Sequence, residues 1–340
     1  MSGLPPVPLP MAEPGAPDPD DPLIAAFFAA RGRGIERAML DMRTHFTPRE
    51  MALFGQRLAE SDHPERAARL QQRMVAELVA AGQLQEYRRH PVCPDADFYS
   101  DGAPPAGKAL LICFGGLNGR LGVPTANFLQ AVEARRFDVL YLRDRDKLRF
   151  RLGLGEFAPD FMAMVQEIRR RFRPEAYDRV VTYGNSMGGV AALQVGMHLG
   201  AERAVAIGAR VADDAVRLVL GRWPGPAFDP ICDCLSDRPL AGLLVHAADC
   251  LPDARGAADL RARHGGRIVV VKGTGEHNLA GYFWALGELP RFLGFVLDAP
   301  LPRDRHAPGA PAVLRKRLWA RVGRGLLRLL QGRSPVVQEP

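Results

Sequence analysis

The 340-residue sequence is poor in serine and cysteine, and it has no long apolar run. It holds only 6 serines and 5 cysteines. A membrane-spanning helix needs about eighteen or more apolar residues in succession, and no such stretch exists. The proline-rich first fifteen residues lack the basic and then apolar pattern of a secretory signal. We therefore expect neither a membrane span nor a secretory leader.

The few cysteines argue against a disulfide framework and against a metal site. They are Cys93, Cys113, Cys232, Cys234 and Cys250. An odd number scattered through a long chain is typical of reduced thiols, which predicts a cytoplasmic protein. The Cys232-x-Cys234 pair, even with His246 close in sequence, lacks the paired spacing of zinc ligands. We predict no metal and no cofactor.

The formal net charge of +7 comes from one end of the chain. Residues 311–333 contain seven basic side chains and no acidic one. They are Arg315, Lys316, Arg317, Arg321, Arg324, Arg328 and Arg333. The remainder is close to neutral, so there is no broad basic surface of the kind that nucleic acid requires. We expect no nucleic-acid partner.

The basic tail has an apolar side, which leaves two interpretations open. As an interfacial helix, residues 311–333 would make a peripheral contact with anionic lipid, because apolar burial and arginines act together there. As a terminal helix packed on the body, the same residues would present a solvated arginine face.

Sequence patterns divide the chain into four parts. Residues 1–21 are rich in proline and aspartate and are expected to be a disordered leader. Residues 22–107 are expected to form a helical N-terminal segment with three helices, followed by a linker from residue 91. Residues 108–298 form the main domain. Residues 299–340 are a proline-rich linker followed by the basic amphipathic tail.

The main domain alternates short apolar runs with amphipathic stretches, which is typical of parallel βαβ units. Strands are predicted at 109–114, 138–142, 180–183, 204–207, 243–246 and 268–271. Helices are predicted at 125–134, 160–172, 187–199, 212–220, 254–264 and 282–297. The fold class is therefore α/β, with a doubly wound, mostly parallel sheet.

Gly184-Asn185-Ser186-Met187-Gly188-Gly189 lies between a predicted strand and a predicted helix. A serine at such a turn takes a strained backbone conformation, and the flanking glycines let strand and helix pass closely. The first N–H groups of the helix, that of Met187 above all, point to where negative charge would develop beside the Ser186 hydroxyl. A tightly packed turn or a phosphate-binding turn would use similar glycines.

A serine hydroxyl needs an imidazole as base and a carboxylate to orient that imidazole. His277 lies in the loop after the last predicted strand, and Asp249 lies just past the end of the strand before it, where sites in parallel sheets form. Asp253, four residues later, is the alternative carboxylate. The expected triad is Ser186, His277 and Asp249.

These residues and their order resemble the α/β-hydrolase superfamily. The resemblance covers about residues 108–297 and implies a sheet of the α/β-hydrolase type. It also implies that Ser186 is the nucleophile, His277 the general base and Asp249 its orienter. In that family a second oxyanion N–H comes from the loop after an early strand, which implies Gly116 or Leu117 here.

The implied activity is hydrolysis of an ester or thioester through an acyl-enzyme, with a small-molecule acyl substrate. Two alternatives stay open. Acyl transfer to an alcohol would use the same triad, and a catalytically silent scaffold would keep the fold for binding. Only a short insertion, at residues 208–242, stands where relatives carry a large lid. This leaves either a shallow site or one covered from elsewhere, and the helical N-terminal segment is a candidate for that cover. The sequence predicts no oligomeric state.

Overall fold

The computed structural model describes residues 22–30, 33–59, 78, 83–147, 150, 153–210 and 242–300. The following predicted features lie outside these residues: the leader, the helix at 212–220, the short insertion with its two cysteines, most of the third N-terminal helix and the basic tail.

Eight strands of the described residues form one sheet, in the order β1-β2-β4-β3-β5-β6-β7-β8. They are β1 (Arg88–Cys93), β2 (Ala96–Ser100), β3 (Ala109–Phe114), β4 (Phe137–Leu142), β5 (Arg179–Asn185), β6 (Arg203–Ile207), β7 (Gly242–Ala247) and β8 (Arg267–Val271). The strands from β3 to β8 are parallel, whereas β1 pairs with β2 and β2 with β4 in antiparallel fashion. All six predicted strands are confirmed.

Three helices precede the sheet in the chain, and the later helices lie between or after its parallel strands. In chain order, the helices are α1 (Pro22–Ala29), α2 (Arg33–His45), α3 (Pro48–Ala59), α4 (Thr125–Gln130), α5 (Phe161–Phe172), α6 (Gly188–Leu199), α7 (Leu251–His264), α8 (Leu279–Ala285) and α9 (Leu289–Asp298). In the described part of the chain, no helix has both the length and the apolar character needed to cross a membrane.

The hairpin of β1 and β2 occupies a stretch that sequence patterns assigned partly to a linker, and that prediction is wrong for residues 91–100. Every residue of β2 is buried, and Phe98 pairs with Leu140 of β4 in the antiparallel ladder. Pro91 lies on β1, the edge strand, where a missing backbone N–H need not cost a ladder hydrogen bond. The hairpin therefore extends the sheet beyond the predicted domain boundary at residue 108.

Two helix predictions are corrected by local turns. The helix predicted at 282–297 is interrupted between α8 and α9, because Gly287 has a φ of 70° and Pro290 lies in the first turn of α9. The helix predicted at 125–134 ends at Gln130. Glycine takes the left-handed conformation without steric cost, and proline is favoured where a new helix begins.

The core lies on both faces of the sheet. Along β3, Leu111 and Cys113 belong to the cluster under α4, α8 and α9, while Leu110, Ile112 and Phe114 belong to the cluster under α5 and α6. Because both faces are covered, the parallel strands read as continuous apolar runs. This burial fixes the carboxyl ends of β3 to β8 at one edge.

The N-terminal helices have a small core of their own, which includes Phe27 and Phe54. Ala126 of α4 joins this cluster and so attaches the helices to the main domain. The start of α3 is fixed by two reciprocal hydrogen bonds. The Thr47 backbone N–H donates to the Glu50 carboxylate at 2.7 Å, and the Glu50 N–H donates to the Thr47 hydroxyl at 3.1 Å.

Candidate active site

Ser186 lies at the tip of the turn between β5 and α6. Its φ is 54°, a left-handed conformation that a non-glycine residue seldom adopts. Its backbone N–H donates to the Ile207 carbonyl of β6 at 2.7 Å, which ties the turn to the sheet. The strained turn predicted from the sequence is confirmed.

The glycines around Ser186 allow β5, β3 and α6 to approach closely. A Cβ placed on Gly184 would lie 2.1 Å from the Gly188 carbonyl oxygen. One placed on Gly188 would lie 2.3 Å from the Phe114 carbonyl oxygen of β3. No real Cβ tolerates such distances, so a side chain at either position would push the helix off the sheet and move Ser186.

His277 is carried to the serine by the loop between β8 and α8. The imidazole Nε2 of His277 lies 2.8 Å from the Ser186 hydroxyl oxygen. The neighbouring Asn278 fixes this loop, because its carboxamide N–H donates to the Gly122 carbonyl at 2.7 Å while its oxygen caps α8 at Gly281. The structure thus brings Ser186 and His277 together as expected.

The carboxylate on His277 is Asp253, and the prediction of Asp249 is corrected. Asp253 Oδ2 lies 2.7 Å from His277 Nδ1, and its side chain is only 1% exposed. Asp249 is exposed and lies in the turn before α7. The reason is that α7 begins at Leu251 rather than at residue 254, so its first turn carries Asp253 inward beneath the imidazole.

Arg210 makes a second contact with this carboxylate, which sequence analysis did not find. Its Nε–H donates to Asp253 Oδ1 at 2.7 Å, and one Nη lies 3.4 Å from His277 Nδ1. Burial raises the pKa of Asp253, but hydrogen bonds from His277 and Arg210 outweigh it, and the net pKa lies below its ordinary value. Asp253 is therefore an ionised acceptor at neutral pH.

Cys250, Asp253 and His277 place one possible metal-ligand atom each within 4.8 Å of one another. Two of these ligands are already engaged, since His277 bonds to Ser186 and Asp253 bonds to Arg210. A guanidinium against the carboxylate repels a cation. The arrangement therefore favours proton transfer over metal binding.

Gly208, directly after β6, packs beneath the histidine and the carboxylate. Its φ is 58°, and a Cβ there would lie 3.0 Å from His277 Nδ1 and 3.1 Å from Asp253 Oδ2. We expect Gly208→Ala to lower kcat/KM for a 4-nitrophenyl ester by about tenfold, because a small displacement of the base is costly.

The control is Gly107→Ala, whose φ is 82° and whose Cβ would meet nothing within 4 Å. Both variants should lose about 1–2 kcal/mol of unfolding free energy from backbone strain. Only Gly208→Ala should lose activity. Equal activity in the two variants, measured beside chemical denaturation curves, would contradict a role for this close contact.

The three predicted oxyanion donors differ in the structure. The N–H groups of Met187 and Leu117 have no acceptor among the described residues. The Gly116 N–H is already occupied, because it donates to the Arg120 carbonyl at 2.8 Å. Gly116 is therefore corrected to a structural position in the turn. The loop packs closely against the β5–α6 turn that carries Ser186, which we call the elbow. A Cβ added to Gly116 would lie 3.1 Å from the Asn185 carbonyl oxygen of that turn.

The sheet and the elbow together define the class of the protein. An eight-stranded, mostly parallel sheet carries a strained serine between strand and helix, with the histidine reaching it from a later loop. This is the α/β-hydrolase fold, and the resemblance stated from the sequence is confirmed at the level of the fold.

Solved structures with similar coordinates include three proteins named as hydrolases. Dienelactone hydrolase from Anabaena variabilis is 14% identical, with a TM-score of 0.41 over 63% of this chain and 100% of that one. A hyperthermophilic esterase from Pyrobaculum calidifontis is 16% identical, with a TM-score of 0.42 over 71% and 94%. A putative esterase from Staphylococcus aureus is 12% identical, with a TM-score of 0.45 over 70% and 94%.

No protein-family model matches the chain, and no curated protein matches it either.

Proposed function

We propose that the protein is a serine hydrolase that cleaves an ester or thioester through an acyl-enzyme, with Ser186, His277 and Asp253 as the triad. The observation that carries the proposal is the continuous relay from the Ser186 hydroxyl to His277 at 2.8 Å and from His277 to Asp253 at 2.7 Å. An unactivated serine hydroxyl is a poor nucleophile, and this relay supplies both the base and its orienter.

The reaction follows from the geometry. His277 Nε2 takes the hydroxyl proton as Ser186 Oγ forms a bond to the carbonyl carbon. The oxyanion is stabilised by the N–H groups of Met187 and Leu117. The imidazolium then gives its proton to the leaving alcohol or thiol as that bond breaks. Water, deprotonated by His277, attacks the acyl-enzyme, and Ser186 regains its proton as the acid departs.

Asp253 and Arg210 act on the histidine. An ionised Asp253 accepts the Nδ1–H of His277, which leaves Nε2 free to accept the serine proton. Arg210 fixes the second oxygen of the carboxylate, so the carboxylate cannot rotate away from the ring. Acyl transfer to an alcohol would proceed through the same acyl-enzyme. The intact relay favours either reaction over a catalytically silent scaffold.

A fluorophosphonate probe tests the proposal directly. We expect stoichiometric labelling, with loss of fluoride and a new Ser186 Oγ–phosphorus bond in the peptide that contains residue 186, read by mass spectrometry. Prior incubation with the probe should abolish hydrolysis of 4-nitrophenyl acetate. A folded protein that neither reacts with the probe nor cleaves the ester would overturn the proposal.

A further inference from the structure

A cavity of about 730 Å³ lies between the N-terminal helices and the loops that follow β3 and β4. α1 and α2 form one wall, and residues 117–120, 143–145 and 147 form the other. The second wall follows the carboxyl ends of two parallel strands, which is the edge of the sheet that also carries Ser186. The N-terminal helices thus supply a wall at this edge.

The lining of the cavity is rich in cations. Five of its residues are basic, namely Arg37, Arg120, Arg143, Arg145 and Lys147, and two are acidic, Asp41 and Asp144. An anionic ligand is the complement of such a lining.

Arg143 is the most buried of these five cations, with only 3% of its surface exposed. One Nη–H donates to Asp97 at 2.6 Å, and the guanidinium lies over the Tyr141 ring at 4.9 Å. Its Nε and other Nη have no hydrogen-bond partner among the described residues. A buried guanidinium with two unpaired nitrogens is costly unless a ligand or water supplies acceptors.

Asp97 supplies the negative charge that pairs with Arg143. Burial raises its pKa, but Arg143 and His45 outweigh that effect and hold the pKa at about 2, so Asp97 is ionised. His45 donates to it at 2.7 Å. Burial lowers the pKa of His45, so this ring adds no charge of its own at neutral pH.

The remaining cations divide into paired and unpaired groups. Arg145 pairs with Asp95 at 2.6 Å, and Arg37 lies 3.8 Å from Asp41. Within the described ranges, Arg120 and Lys147 form no ion pair, and Arg120 Nε is buried without a hydrogen-bond partner. Arg120 and Lys147, without ion pairs in the described ranges, therefore line one cavity with Arg143, whose two nitrogens lack partners, and with the acidic Asp144.

The cavity adjoins the reaction centre through Leu117. Leu117 lines the cavity, and its N–H is one of the two donors proposed for the oxyanion. The preceding Gly116 touches the elbow at Asn185. An ester bound with its carbonyl oxygen at the Leu117 N–H would lie beside the cavity that Arg120 and Arg143 line.

We propose that this cavity receives a carboxylate or phosphate carried by the substrate, so that the enzyme prefers anionic esters or thioesters. The inference rests on the proposed function and names the substrate class of the same site. Arg120, Arg143 and Lys147 bind the anion. The anion could belong to the acyl group or to the leaving group, and matched substrates distinguish these two sources.

Two substrate pairs test the inference. For the acyl side, mono-4-nitrophenyl glutarate is compared with its methyl ester; for the leaving group, 4-carboxyphenyl acetate is compared with its methyl ester. After subtraction of enzyme-free rates, we expect at least a tenfold preference in kcat/KM for the anionic member of one pair at low ionic strength. The preference should decline with added salt, because screening weakens charge interactions.

Arg120→Gln and Lys147→Gln should each lower that preference about fivefold or more, chiefly through the KM of the anionic ester. Arg135→Gln is the matched control, because Arg135 is an exposed arginine before β4, at the opposite edge of the sheet. It should leave the preference unchanged. A preference that is absent in both pairs, or unaffected by the cavity variants, would overturn the inference while ester hydrolysis itself stands.

A binding measurement separates this inference from the proposed function. Sodium glutarate, titrated calorimetrically into the full chain, should bind at least fivefold more weakly to the Arg120→Gln/Lys147→Gln variant than to Arg135→Gln. This result would support the anion site even if no ester were cleaved. Equal affinities in the two variants would count against the site independently of catalysis.

Discussion

Replacing Ser186 with alanine is expected to lower kcat for 4-nitrophenyl acetate by about 10⁴-fold or more. In the proposed mechanism the hydroxyl forms the acyl bond, while His277, 2.8 Å away, takes its proton and the buried Asp253 orients the ring. The oxyanion donors and the cavity remain, which leaves a residual rate above that in water. Stopped-flow measurements with wild-type protein should in addition show a burst of 4-nitrophenol that the variant lacks.

Ser100→Ala is the control for this experiment. Ser100 is a buried serine of β2 whose hydroxyl accepts the Gly102 N–H at 3.0 Å, on the far side of β4 and β3 from the elbow. It should keep nearly full activity. Thermal melts should show that Ser186→Ala is folded, and relief of the left-handed strain is not expected because alanine keeps a Cβ. Retained turnover in folded Ser186→Ala protein would refute the acyl-enzyme.

Asp253→Asn is expected to lower kcat by roughly 10⁴-fold, whereas Asp249→Asn should change it less than threefold. Asparagine can present its N–H₂ group to His277 Nδ1, which favours the tautomer with the proton on Nε2, and such a ring cannot accept the serine proton. The loss of the carboxylate also leaves Arg210 without its partner at Oδ1. Asp249 is exposed and has no such contact with the imidazole among the described residues.

The two aspartates, only four residues apart, form a matched pair for this test. Both variants are assayed with the same ester, and their unfolding free energies are measured in parallel so that activity is compared between folded proteins. If Asp249→Asn lowered kcat more than Asp253→Asn, Asp249 would have to replace Asp253 at His277 during catalysis, and the assignment of Asp253 would be wrong.

The parallel strands β3 to β7 could be predicted because they are buried almost throughout and read as short apolar runs. β2 escaped prediction since its run is short and is bounded by prolines and aspartates, which locally resemble a loop. Its place in the sheet depends on pairing with β4, a contact between residues about forty positions apart. Sequence periodicity carries no such information.

The candidate site, like the sheet, could be predicted from the sequence only in part. Ser186 and His277 are marked by local patterns, a glycine-flanked turn and a loop after a strand. The choice between Asp249 and Asp253 depended on where α7 begins, and an offset of three residues decided which carboxylate faces inward. Helix boundaries are the least certain part of any prediction from sequence.

Arg210 had no local signal at all. Its partner Asp253 is forty-three residues away in the chain, and the contact exists only because Gly256 lets α7 approach the segment after β6, where a Cβ would lie 2.5 Å from the Ala209 carbonyl oxygen. The occupied N–H of Gly116 also had no local sequence signal. Its hydrogen bond to the Arg120 carbonyl, four residues later, is visible only in the folded turn.

α1 and α2, which form one wall of the cavity, lie in a different part of the chain from the proposed triad. The proposed triad residues all lie after residue 180, whereas one wall of the cavity proposed to select the substrate lies before residue 46. If the anion site is as proposed, changes in those early helices alter which anionic substrates bind while the reactive centre stays intact.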